Sequence, residues 1–146
     1  MTRPKPHQRA DYPYVQAITT RWMDNDAYGH INNVVYYSFF DTVVNTFLIE
    51  SGALDIGKSA VIGYVVETAC NYFAPLTYPQ KVAAGLRVAH VGRSSVRYEI
   101  ALFAEEGGSA AAQGHFVHVY VDRETQRPVK LPEALERALA PLRQQD

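Results

Sequence analysis

Between positions 33 and 50, apolar side chains return every three or four residues. Tyr36, Tyr37, Phe40, Val43, Val44, Phe47 and Leu48 fall on one side of a 3.6-residue period, and Ser38, Asp41, Thr42, Asn45 and Thr46 on the other. The pattern predicts a long helix over 33–50, with Asn32 as its N-cap and Gly52 just past its last turn. Elsewhere the period shortens to two. Val96, Tyr98, Ile100 and Leu102 share one face of an extended run, while Arg97 and Glu99 point the other way. Strand-like runs cover 14–22, 61–74, 82–91, 95–104 and 111–121. Pro75, Pro79, Gly92, Gly107-Gly108 and a turn over 125–128 punctuate them. A short helix is predicted over 131–140, with Pro132 in its first turn.

The order is therefore strand, long helix, then four strands on short connections. Short connections favour antiparallel neighbours. One apolar helix against such a sheet makes an α+β domain. Residues 1–12 are Pro-rich and polar and read as a flexible N-terminal arm, leaving 13–146 as a single domain.

Composition narrows the function classes. The chain has 146 residues, with 14 Lys and Arg against 15 Asp and Glu. One domain of this length buries its own core. Near-neutral charge argues against a general nucleic-acid binder. The single cysteine, Cys70, has no partner for an intrachain disulfide and fits a reducing cytosol. No apolar run suits a signal peptide or a membrane span. A soluble cytoplasmic protein with no nucleic-acid or membrane partner is the expectation.

Chemistry is densest just before the long helix, in Asp24-Asn-Asp-Ala-Tyr-Gly-His-Ile-Asn-Asn33. A carboxylate there can attack a carbonyl or activate water. The helix start supplies free backbone N–H groups and the positive end of a dipole, suited to a developing oxyanion. Asp26 is the leading candidate for that acid, and Gly29 permits a tight turn behind it. In an extended segment Asp24 would project to the same side and pair with Asp26, but a turn or salt-bridge role for Asp24 is the simpler reading. His30 is a candidate base or ligand-orienting group. A metal site finds no support in spacing: His115 and His118, three apart on a strand, face opposite ways, and Cys70 stands alone. No nucleophile elbow, phosphate loop or dinucleotide fingerprint is present. The reading calls for no metal and no cofactor.

The segment RWMDNDAYGHINNVVYYSFFDT resembles the signature of the 4-hydroxybenzoyl-CoA thioesterase-like branch of the hotdog acyl-CoA thioesterases, roughly D-x-D-x-x-G-H-V-N-N-x-x-Y with Ile31 in place of Val. ETACNYFAP over 67–75, the turn over 92–95 and the segment over 121–129 extend the likeness, which covers about residues 14–132. It implies a hotdog fold, in which a five-stranded antiparallel sheet wraps one long helix and a short C-terminal helix follows. It also implies hydrolysis of an acyl-CoA to free acid and CoA.

On this resemblance Asp26 is the catalytic carboxylate, as nucleophile or as general base on water. His30 and the Asn33 backbone stand at the reacting centre. Gly29, Asn32, Tyr36 and Tyr37 contribute to substrate binding, and Phe40 helps to wall the tunnel. Lys58, Arg93 and Arg97 are candidates for the CoA phosphates. The family pairs protomers through their sheets, so a homodimer or homotetramer is expected, with the site between protomers. The His-Ile-Asn-Asn run is closer to the fatty-acyl than to the benzoyl branch. The alternative on the same fold is a non-catalytic acyl-CoA or small-ligand binding module, which would not need an acid at Asp26. A hydratase would want a His on the helix, which carries Asp41 but no His.

Overall fold

A computed structural model describes residues 4–144. Five strands form one antiparallel sheet: β1 (Tyr14–Ile18), β2 (Val61–Tyr72), β3 (Val82–Val91), β4 (Ser95–Ala104) and β5 (Ala112–Asp122). Their order across the sheet is β1-β3-β4-β5-β2. The long helix α1 (Val35–Glu50) follows β1, and a short helix α2 (Glu133–Leu139) follows β5. The α+β expectation holds.

The period-two pattern of β4 decides which face is inside. Val96, Tyr98, Ile100 and Leu102 are buried and join one core with Tyr36, Phe40, Val43, Val44 and Leu48 of α1. Phe39, assigned to neither helix face by the pattern, is buried there as well. Tyr37 and Phe47 are only partly buried and pack at the margin of this core. On the other face of the sheet a smaller cluster forms around Phe103, Ala101 and Ala83, covered by Tyr12.

That cover comes from the segment expected to be a loose arm. Residues 1–3 lie outside the described residues, but from residue 4 onward the chain is docked. The Arg9 guanidinium donates to the carbonyls of Ala104, Glu105 and Gly107, and it also lies over the Phe103 ring. The His7 amide donates to Gln113 Oε1, and Tyr12 is 5% exposed. Apolar burial and backbone-directed hydrogen bonds outweigh the Pro-rich composition here.

β2 lies at the sheet edge, bonded only to β5. It is twelve residues long, with a register shift between Val65 and Glu67. Tyr64, Val65 and Val66 are exposed along it. A long edge carrying apolar side chains is a ready surface for strand pairing.

Candidate active site

The first strand stops at Ile18, short of the expected 14–22. Trp22–Asp24 forms a single 3-10 turn instead. Asp24 closes that turn: its carboxylate accepts the Arg21 amide at 2.7 Å and the Arg21 guanidinium at 2.9 Å. Asp24 is 1% exposed and committed to these bonds. The extended geometry needed for an Asp24–Asp26 pair is absent, and the turn role prevails.

After Asp24 the chain makes a narrow loop in which Asn25 and Ile31 bridge antiparallel. The Asp26 amide donates to the His30 carbonyl at 2.8 Å. Asp26 Oδ1 accepts the Tyr28 amide at 2.8 Å and, less closely, the His30 amide at 3.4 Å. Asp26 Oδ2 has no hydrogen-bond partner among the described residues. Gly29 adopts φ +80, the left-handed backbone that the turn requires. The loop is tied down on its far side, where Thr77 Oγ1 donates to the Gly29 carbonyl and the Tyr78 amide donates to Asn25 Oδ1.

The helix begins two residues later than the pattern predicts. Val34, not Asn32, takes the N-cap position, without a side-chain cap; Asn32 instead closes a turn just ahead of the helix, its Oδ1 accepting the Val34 amide at 3.0 Å. The Asn32 amide is consumed by the Asp24 carbonyl at 2.8 Å. The exposed Asn33 amide has no hydrogen-bond partner among the described residues, so it is open to an oxyanion. The Tyr72 hydroxyl donates to the Asn33 carbonyl at 2.9 Å, pinning the helix start to the end of β2.

A shallow cleft opens here, lined by His30, Ile31, Asn33, Tyr36, Tyr72 and Pro75. Tyr36 is buried against Tyr72, ring to ring at 5.0 Å. Burial foremost, with smaller contributions from Cys70 and Asp26, raises its pKa above the ordinary phenol value. The Asp26 charge is therefore within electrostatic reach of the Tyr36 hydroxyl. Burial also pushes the Cys70 thiol up to about 11, which leaves it un-ionised at neutral pH.

Asp26, Gly29, His30, Asn32, Asn33 and Tyr36 thus come together at the start of α1. Tyr37 packs edge-on against Phe40. Lys58 and Arg93 do not join them within one chain. Lys58 sits in the loop after α1, and the Arg93 carbonyl accepts the Leu131 amide. Both lie toward the far end of a helix of sixteen residues, about 24 Å long at 1.5 Å per residue. Arg97 faces outward beside His115, which bonds Glu67 at 2.7 Å. His118 points the other way, into the core, as its spacing from His115 predicts. Among the described residues no group of three or more His, Cys, Asp or Glu is placed to hold a metal ion.

The model of the thioesterase-like superfamily matches residues 20–139, a span that takes in the acidic loop, α1 and the whole of β2 to β5. The chain belongs to that superfamily. The chemistry of this thioesterase family is thioester hydrolysis, and the sheet-and-helix architecture is its hotdog fold. The PA5185 protein from Pseudomonas aeruginosa strain PAO1 is similar over 97% of this chain and 98% of its own, at 56% identity and a TM-score of 0.93. The DHNA-CoA thioesterase from Staphylococcus aureus shares the fold with a TM-score of 0.75 at 24% identity, over 86% of this chain and 90% of its own. The L-carnitine dehydrogenase/betainyl-CoA thioesterase of Agrobacterium fabrum is 26% identical over 94% of this chain. This chain spans only 29% of the length of that relative. No helix among the described residues is long and apolar enough to cross a membrane.

One set of residues escaped the sequence reading. His118, Tyr120 and Tyr98 form a buried polar chain beneath the far end of α1. The signal was available in part, since Phe116, His118 and Tyr120 alternate onto one face of β5.

Proposed function

We propose that this protein hydrolyses the thioester of acyl-CoA substrates, with Asp26 as the catalytic carboxylate. One observation carries the reading: Asp26 Oδ1 is held by the Tyr28 amide while Oδ2 is unpartnered, on a loop that ends at the open Asn33 amide. Oδ2 either attacks the thioester carbon, giving an acyl-aspartyl anhydride and CoA thiolate that water then resolves, or takes a proton from an attacking water. In both routes charge grows on the carbonyl oxygen, and the Asn33 N–H at the positive end of α1 stabilises it. His30 stands beside the reacting group on the cleft wall. Gly29 and Asn32 set the loop and helix start, and Tyr36 and Tyr37 form the apolar side.

The working unit is a homodimer or homotetramer formed through β2. Two β2 edges paired antiparallel about Val66 set the Val61 end of one copy beside the Tyr72 end of the other. That arrangement brings Lys58 and Arg93 of one copy toward Asp26 of the other, where they meet CoA phosphates. The protein acts in the cytoplasm on a soluble substrate, without metal or cofactor.

The test is release of free CoA from a panel of acyl-CoAs, read with a thiol reagent, for wild type and Asp26→Asn. Turnover by wild type alone supports the reading. Saturable binding without turnover in either protein would move it to the binding-module alternative.

A further inference from the structure

At the end of α1 remote from Asp26 lies a mainly apolar cavity of about 270 Å3. Its walls include Leu48, Leu54, Val61, Ile62, Tyr120 and His118. An apolar cavity of roughly 150 Å3 takes a benzene ring, so this one accommodates a larger group. His118 is 3% exposed. Its Nε2 is, among the described residues, the one buried side-chain nitrogen or oxygen without a hydrogen-bond partner. Buried polar atoms are almost always paired, so each exception asks for a reason.

The neighbours of His118 fix where its proton sits. The Tyr98 and Tyr120 hydroxyls are 2.6 Å apart, and the Tyr120 hydroxyl is 3.4 Å from His118 Nδ1. Either hydroxyl of this pair can donate, but Tyr98 is fully buried, and only donation from Tyr98 to Tyr120 leaves no hydroxyl proton unpaired in the core. Tyr120 then donates to Nδ1, and the imidazole proton is left on Nε2. Burial lowers the His118 pKa to about 4, so the ring is neutral at physiological pH. Gly63 keeps this arrangement uncrowded from β2: a Cβ there would lie 2.9 Å from the Tyr120 ring and 3.0 Å from His118 Nδ1. The one cation on the wall, Arg123, spends its guanidinium on the Ser59 and Ile56 carbonyls.

We propose that this cavity receives the acyl group of the substrate and that His118 Nε2–H donates a hydrogen bond to a neutral oxygen carried on that group. The proposal rests on the thioesterase reading. The cavity opens at the Val61 end of β2 and Asp26 lies toward the Tyr72 end, so paired β2 edges place the cavity of one copy beside Asp26 of the other. The favoured substrates are acyl-CoAs bearing a keto or hydroxyl oxygen beyond the thioester. A plain alkyl chain of equal length fills the same space but leaves the Nε2–H unpaired, and a site with a buried donor discriminates against such a ligand.

The experiment compares kcat/KM for hexanoyl-CoA with that for 3-oxohexanoyl-CoA and 5-oxohexanoyl-CoA. Wild type should prefer at least one oxo substrate by tenfold or more. His118→Phe, which keeps a ring of similar size but no donor, should bring that ratio to about one. His118→Gln, which retains an N–H, should keep part of the preference and guards against misfolding of the Phe variant, with thermal melts run on both. A ratio unchanged in both variants, or no oxo preference in wild type, would overturn the proposal while leaving the thioesterase reading intact. No hydrolysis of any of the three by wild type would overturn both.

Discussion

The Tyr28 amide donates to Asp26 Oδ1 at 2.8 Å, so one oxygen of the carboxylate holds the loop while the other has no hydrogen-bond partner among the described residues. The two jobs separate in Asp26→Asn. An asparagine oxygen still accepts the Tyr28 amide, so the loop should persist, with a melting temperature close to wild type. The charge is gone, so kcat should fall by about a hundredfold or more, the usual scale for loss of a positioned base or nucleophile. Stopped assays of CoA release, paired with thermal melts, check both halves.

Asp24 should behave in the opposite way. Its buried carboxylate is committed to closing the turn onto Arg21. Asp24→Ala should cost on the order of 1–3 kcal/mol of stability, because the Arg21 amide loses its acceptor. Asp24→Asn should keep turnover within a few-fold. Loss of turnover in Asp24→Asn equal to that in Asp26→Asn would restore the carboxylate pair.

Acid sensitivity should trace in part to His118. Its folded pKa is about 4 against an ordinary 6.5, lowered by burial. Below pH 6.5 the unfolded chain takes up a proton that the folded chain refuses, so stability is lost as pH falls from 6.5 toward 4. Between pH 7 and pH 5 this amounts to about 2 kcal/mol. Urea unfolding of wild type and His118→Phe at the two pH values should show that difference in wild type and lack it in the variant.

The exposed apolar edge of β2 predicts association. Wild type should scatter light as a dimer or tetramer at micromolar concentration. Val66→Lys places a charge at the register shift, where Val66 is 59% exposed, and should shift the population toward monomer. Turnover should fall with it. A monomeric wild type with full activity would remove the shared site.

The pattern of the chain reads out the central strands best. The bounds of β3 and β4 match the expected runs at both ends, because the Pro and Gly punctuation delimits both and β4 alternates over its first half, Val96, Tyr98 and Ile100 being buried and the residues between them half-buried. The first strand ends sooner than its pattern predicts: Trp22 and Met23 look like strand residues, yet they are 79% and 73% exposed in a turn set by Asp24. The motif put Asp26, His30 and Asn33 in one place because they are neighbours in sequence. The cavity was invisible for the converse reason. Leu48, Val61, His118 and Leu135 meet there only after the helix end, two strands and α2 have packed.

Beyond its stacking on the Phe103 ring, Arg9 grips the β4–β5 hairpin through the carbonyls of Ala104, Glu105 and Gly107. Every amino acid carries that carbonyl. Past Phe103, the clamp therefore reads the path of the hairpin and is blind to its spelling. Glu105 and Glu106 are free to drift in identity without loosening the strap, whereas a one-residue insertion between them would displace its handholds.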